Sequence, residues 1–131
     1  MRILIVDDEL VGRMLLRKIV SQYGECDVAV NGREAVEAFR LAWEENSPYD
    51  LIFLDIMMPE MDGHEALRAI RKHEEDRGIY GKKSVKVVMT TAREDSGSVL
   101  GSFHEGCEGY AVKPIDKAKI EKVMRELALI K

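Results

Sequence analysis

The chain has 131 residues, 46% of them hydrophobic and 34% charged, with a net charge of −4, which is enough for one domain with a core and is ordinary for a globular protein in water. Its Lys/Arg runs are short; Arg71-Lys72 and Lys82-Lys83 read as solvated surface, so direct nucleic-acid binding is not expected. Met1-Arg2 leads straight into a short strand and no apolar run reaches spanning length, so neither a signal peptide nor membrane insertion is expected, and a cytoplasmic location follows.

The first apolar run, residues 2–7, reads as a strand that closes on Asp7 and Asp8. A helix over 9–22 follows, with Leu15, Leu16, Ile19, Val20 and Tyr23 at helical spacing and Gly24 as its stop. The second strand is 26–30. The second helix, 32–45, opens on Asn31 with Glu34 three residues on, a capping-box pattern, and turns Ala35, Val36, Phe39 and Trp43 inward. The third strand, 50–55, ends on Asp55; Asp62-Gly63 then reads as the turn and cap of a helix over 62–75 with Ala66, Leu67 and Ile70 inside. Residues 76–84 form a longer loop with two glycines before a strand at 85–91 that ends on Thr91. The helix expected over 96–106 is weak, because Gly97, Gly101, Ser96, Ser98 and Ser102 are poor interior residues. A last strand, 109–112, leads to Lys113-Pro114, and a helix over 116–130, capped by Asp116, carries Ile120, Val123, Met124 and Leu127. Cys26 and Cys107 lack ligand spacing and read as small hydrophobes; His64, His73 and His104 are scattered, without metal spacing.

Short Val/Ile/Leu-rich strands without clean alternation suit a parallel sheet covered on both faces. Five βα units imply an α/β fold, a doubly wound five-stranded sheet with helices on both faces and right-handed crossovers. In such sheets ligands bind beyond the carboxyl ends of the strands. Asp7, Asp8, Asp55, Thr91 and Lys113 all fall at such ends, so the topology brings them to one rim.

A carboxylate at the end of a buried strand is costly unless something uses its charge. Three close together repel one another, and Mg²⁺, which takes carboxylate oxygens and keeps several waters, relieves the repulsion. Lys113 adds a fixed positive charge and Thr91 a hydroxyl. The set suits phosphoryl transfer to an aspartate, where catalysis is mostly positioning and charge neutralisation.

Asp7-Asp8, Asp55-Ile56-Met57-Met58-Pro59-Glu60-Met61-Asp62-Gly63, Thr91-Ala92 and Tyr110-Ala111-Val112-Lys113-Pro114 together resemble the receiver domain of two-component response regulators, over nearly the whole chain and in order. The resemblance implies a flavodoxin-like sheet of order 2-1-3-4-5 and a single receiver domain over residues 1–131 without an effector domain. It implies that Asp55 is the phosphoacceptor, served by a histidine kinase or a histidine phosphotransfer protein. Asp8 would be the direct Mg²⁺ ligand, Asp7 the outer-sphere acid and the Met57 backbone carbonyl a further ligand, with Mn²⁺ substituting for Mg²⁺. Lys113 would pair with the phosphoryl group, Thr91 would hydrogen-bond it and shift, and Tyr110 would be the switch aromatic. Output would pass to a downstream protein through a face over 96–130, by a monomer or a phosphorylation-dependent dimer. The protein is then a switch that catalyses its own phosphorylation and slow dephosphorylation rather than an enzyme acting on others.

Met57 and Arg93 occupy the variable positions two residues after Asp55 and Thr91, and neither positions a hydrolytic water, so a long-lived phosphate is expected. A haloacid-dehalogenase-like phosphatase would need an acid where Met57 stands. An FMN module would need donors where Asp7-Asp8-Glu9 stands. A scaffold that never takes phosphate would not need the intact set of acids and lysine.

Overall fold

The computed structural model describes residues 1–92 and 106–131. Its strands are β1 (Arg2–Val6), β2 (Glu25–Ala29), β3 (Leu51–Asp55), β4 (Lys86–Thr91) and β5 (Gly109–Val112), all parallel, in the order β2-β1-β3-β4-β5. In β1, β3 and β4 alternate residues serve opposite cores, which is why these strands read as apolar along their length. Leu4, Val6, Ile52, Leu54, Val87 and Met89 pack on one face against α2 (Gly32–Glu44) and α3 (Gly63–Asp76). Ile3, Ile5, Leu51, Phe53, Val88 and Ala111 pack on the other against α1 (Leu10–Val20) and α4 (Lys117–Glu126). The expected α/β doubly wound sheet with helices on both faces is thus observed. The helix expected over 96–106 lies, except for Gly106, outside the described residues, as do Arg93 and His104.

Local chemistry explains the helix ends. Asp62 and Glu65 form a reciprocal capping box at α3. At α2 only half of the expected box forms: Asn31 Oδ1 accepts the Glu34 amide at 2.9 Å, while Glu34 Oε1 reaches back one residue further, to the Val30 amide. Asp116 caps α4 through the Lys119 amide at 2.8 Å. That helix ends earlier than residue 130, because Ala128 takes a left-handed φ of 58° and Leu129 N–H bonds back to Met124 O, a closed C-terminal turn. Gly24 is not the stop of α1, which ends at Val20 with Ser21 as its cap; a Cβ at Gly24 would lie 2.1 Å from the Met1 carbonyl just ahead of β1, and this close approach requires the glycine.

Two expectations are overturned by burial. Leu15 faces outward, 41% exposed, while Leu16, Ile19 and Val20 carry the inner face of α1. Leu10, Val11 and Met14 are 61%, 76% and 62% exposed, so α1 presents an outer apolar stripe. Arg71 is not solvated surface: its side chain is 18% exposed and lies between Glu74 and Glu108, whereas its neighbour Lys72 is an outward lysine paired with Asp76.

Candidate functional site: an acidic rim with one lysine

β1 and β3 lie side by side, so their carboxyl ends deliver Asp7, Asp8 and Asp55 to one point. One oxygen from each of the three carboxylates lies within 4.8 Å of the others. Asp7 and Asp55 are buried, at 4% and 3% exposure, and Asp8 is exposed. The last residues of β4 and β5 pair as Thr91↔Val112, which sets Lys113 at the same rim. Its Nζ lies 3.2 Å from Asp55 Oδ2 and 3.7 Å from Asp7 Oδ2.

The acids are oriented from outside. Asp7 Oδ1 accepts the Glu9 amide at 2.9 Å, and its backbone carbonyl accepts Arg13 Nη1 at 2.7 Å. Gly12 was not singled out in the sequence, although a lone glycine near the start of a helical pattern is a signal. A Cβ there would stand 2.3 Å from Asp7 Oδ2, so helix α1 approaches the acid only as glycine. Gly63 does the same behind Asp55, where a Cβ would lie 2.4 Å from its carbonyl oxygen.

Thr91 is 2% exposed, and its hydroxyl donates to the Ala92 carbonyl at 3.1 Å. Thr90, by contrast, is the β4 residue paired with Asp55 in the ladder. Met57 is 68% exposed beside the acceptor strand, and Tyr110 is 46% exposed on β5. The structure therefore gathers Asp7, Asp8, Asp55 and Lys113 in direct proximity, with Thr91 at the end of the neighbouring strand. Tyr110 lies three residues back along β5.

Burial pushes the Asp55 carboxyl from its ordinary 3.8 up to about 6; Lys113 pulls it back, and Asp7 and Asp8 push it further up. Burial alone would lower the Lys113 ammonium, yet Asp55 and Asp7 raise it, so the lysine stays charged. The folded state thus holds the Asp55 proton more tightly than the unfolded chain does. By linkage, the resulting stability is lost as pH rises from 3.8 to about 6 and stays lost above that. Asp55→Asn is therefore expected to be the more stable form in metal-free buffer at neutral pH, by on the order of 1–2 kcal/mol once solvent screening is allowed for. The gap should close at about pH 4 and in saturating Mg²⁺. Equal denaturation midpoints across that range would show that Asp55 carries no such strain.

Three hard oxygen donors, two of them buried and without a sulfur or nitrogen ligand among them, fit a small divalent cation such as Mg²⁺.

The sequence matches the response regulator receiver domain model over residues 3–125. The chain belongs to that family. Receiver domains are phosphorylation-dependent switches of two-component signalling. The chain is 35% identical to probable histidine kinase 2 of Oryza sativa subsp. indica over 92% of its own length and 12% of that protein, so it spans a small part of this relative. Among solved structures it is similar to the CheY of the CheX-CheY-BeF₃-Mg²⁺ complex from Borrelia burgdorferi, with TM-score 0.82 and 28% identity over 99% of this chain and 90% of that one. It is also similar to the structure of the Saccharomyces cerevisiae histidine phosphotransfer protein Ypd1 with the receiver domain of Ssk1, with TM-score 0.80 and 27% identity over 95% of this chain and 86% of that one. Among the described residues no helix is long and apolar enough to cross a membrane.

Proposed function

We propose that this receiver takes a phosphoryl group from a phosphohistidine onto Asp55 and then switches a protein-binding face. The observation that carries the reading is the buried Asp55 carboxylate flanked by Asp7, Asp8 and the Lys113 ammonium at one strand rim. An Asp55 carboxylate oxygen attacks phosphorus, the phosphorus–nitrogen bond breaks, and the imidazole leaves with the electron pair and takes a proton. The product is an acyl phosphate. Lys113 neutralises a phosphoryl oxygen, and Thr91 donates its hydroxyl after leaving the Ala92 carbonyl. Asp8, Asp55 and the Met57 backbone carbonyl would hold Mg²⁺, with Asp7 acting through a water and Mn²⁺ accepted in place of Mg²⁺. When bound, the ion neutralises charge on the transferring group.

The donor is a histidine kinase or histidine phosphotransfer protein. Supporting this is the apolar stripe of Leu10, Val11, Met14 and Leu15 on α1, the helix that starts two residues after Asp8. The solved Ypd1–Ssk1 complex shows a receiver with a partner of this class. Output would pass through the face over 96–130 to a downstream protein. Within its described part, a groove of about 500 Å³ runs between β5 and α4, lined by Tyr110, Val112, Lys119 and Val123. Inward rotation of the half-exposed Tyr110, coupled to Thr91, would reshape that groove. We take the unit to be one receiver domain over residues 1–131, working in the cytoplasm as a monomer or a phosphorylation-dependent dimer.

Labelled phosphohistidine phosphotransfer protein, mixed with the chain and Mg²⁺, is expected to lose its label to the chain, and chelator to stop the transfer. Retention of the label by every donor of this class tried would sink the reading. Met57 puts an apolar, 68% exposed side chain where a polar group could orient water. Met57→Asp, alone or with Arg93→Glu, is expected to speed dephosphorylation by about tenfold. An unchanged decay would remove the shielding role from Met57.

A further inference from the structure

The Arg71 guanidinium, two turns into α3, is tied to its own helix and to two segments distant in sequence. Nε and Nη2 donate to the Gly106 carbonyl at 3.0 and 2.7 Å. Nη1 donates to Glu74 Oε1, Ser84 Oγ and the Val85 carbonyl at 2.7, 3.1 and 2.8 Å. Nη2 also meets both oxygens of Glu108, at 2.7 and 2.9 Å. Glu108 in turn prolongs the β4–β5 ladder. Its amide donates to the Val87 carbonyl at 2.9 Å, and its carboxylate accepts the Val87 amide at 2.7 Å, one step before the first pair Val88↔Gly109.

This position bears on the lysine at the other end of the same strand. β5 has four residues and, among the described residues, sits at the sheet edge and pairs only with β4. Its inward residues, Gly109 and Ala111, offer little side chain to define a register. A slip of one residue would move Lys113 by about 3.3 Å and exchange the faces of Tyr110 and Ala111. α3, which carries Arg71, is anchored to the acceptor loop by the Gly63 amide on the Ile56 carbonyl at 2.8 Å. Arg71 therefore ties the strand that bears Lys113 to the helix that follows Asp55.

We infer that Arg71, through Glu108, is a positioning residue that locks the register of β5 and so holds Lys113 against Asp55. The inference rests on the phosphoryl-binding role of Lys113 for its kinetic arm only. Arg71→Ala strands the buried Glu74 and is a poor test, so Arg71→Lys and Glu108→Gln are used, each first shown to unfold cooperatively. Amide hydrogen exchange is expected to accelerate at 110–113 in both variants, with β1 and β3 unchanged. The rate of phosphorylation by acetyl phosphate at saturating Mg²⁺ is expected to fall about tenfold, with the Mg²⁺ concentration for half saturation unchanged. A merely structural role would lower stability and leave the rate of the folded protein intact. Unaltered exchange at 110–113 in the folded variants overturns the lock. Lys113→Ala run in parallel separates the two readings: a wild-type rate there refutes the role of Lys113, while the exchange arm still decides the lock.

Discussion

Met14→Lys is expected to slow phosphoryl uptake from a phosphohistidine protein by about 30-fold, while uptake from acetyl phosphate stays within about twofold of wild type. Leu10, Val11, Met14 and Leu15 recur at the spacing that puts them on one helical face, and all are between 41% and 76% exposed. A protein donor must bring its histidine to Asp55 and so cover the ground beside the rim, whereas a small donor need not. Losing an apolar anchor at the centre of such a contact costs about 2 kcal/mol, the origin of the 30-fold figure. The substitution is at an exposed position, so fold stability should change by less than about 0.5 kcal/mol. Val11→Glu should act in the same direction. Stopped assays with both donors decide the matter: equal slowing with both would place the damage in the rim, and no slowing with either would mean that the stripe is not the docking surface.

Asp8→Asn is expected to weaken Mg²⁺ binding by on the order of 100-fold and to suppress phosphorylation from any donor at millimolar metal. At about 4 Å and an effective dielectric of about 20, a unit charge pair is worth about 4 kcal/mol, reduced here because Asp8 is exposed. Unlike Asp55→Asn, this change should give little stability in metal-free buffer. Burial, Lys113 and Asp7 all outrank Asp8 among the influences on the Asp55 carboxyl. Calorimetric titration of Mg²⁺ reads the affinity directly; wild-type affinity in the variant would remove Asp8 from the ligand set.

The rim was legible in the sequence because one topological rule covers it. In a doubly wound sheet every strand that enters the rim ends there, so Asp7-Asp8, Asp55, Thr91 and Lys113 could be brought together from strand ends alone. Cap residues were legible for the same local reason: Asp62 and Asp116 satisfy helix-start amides close by in sequence. What escaped depends on contacts distant in sequence. Arg71 beside Lys72 looks like an ordinary basic pair; it is covered by partners distant in sequence, Ser84 and Val85 on one side and Gly106 and Glu108 on the other. Leu15 fits the inner stripe of α1 by spacing as well as Leu16 does, and which of the two faces the sheet is decided by how the helix is rotated upon it. Gly12 could be read only as an oddity until α1 was seen to touch Asp7. The capping box at α2 failed by one residue, since Glu34 found the Val30 amide instead of that of Asn31.

The central claim, that Asp55 accepts a phosphoryl group with the help of a divalent cation, is tested most directly by mass spectrometry of the intact protein after treatment with acetyl phosphate. One added phosphate is expected in Mg²⁺, located on Asp55 by peptide mapping, and none with chelator or in Asp55→Asn. The same adduct in Asp55→Asn, or one formed equally well without a divalent ion, would contradict the account.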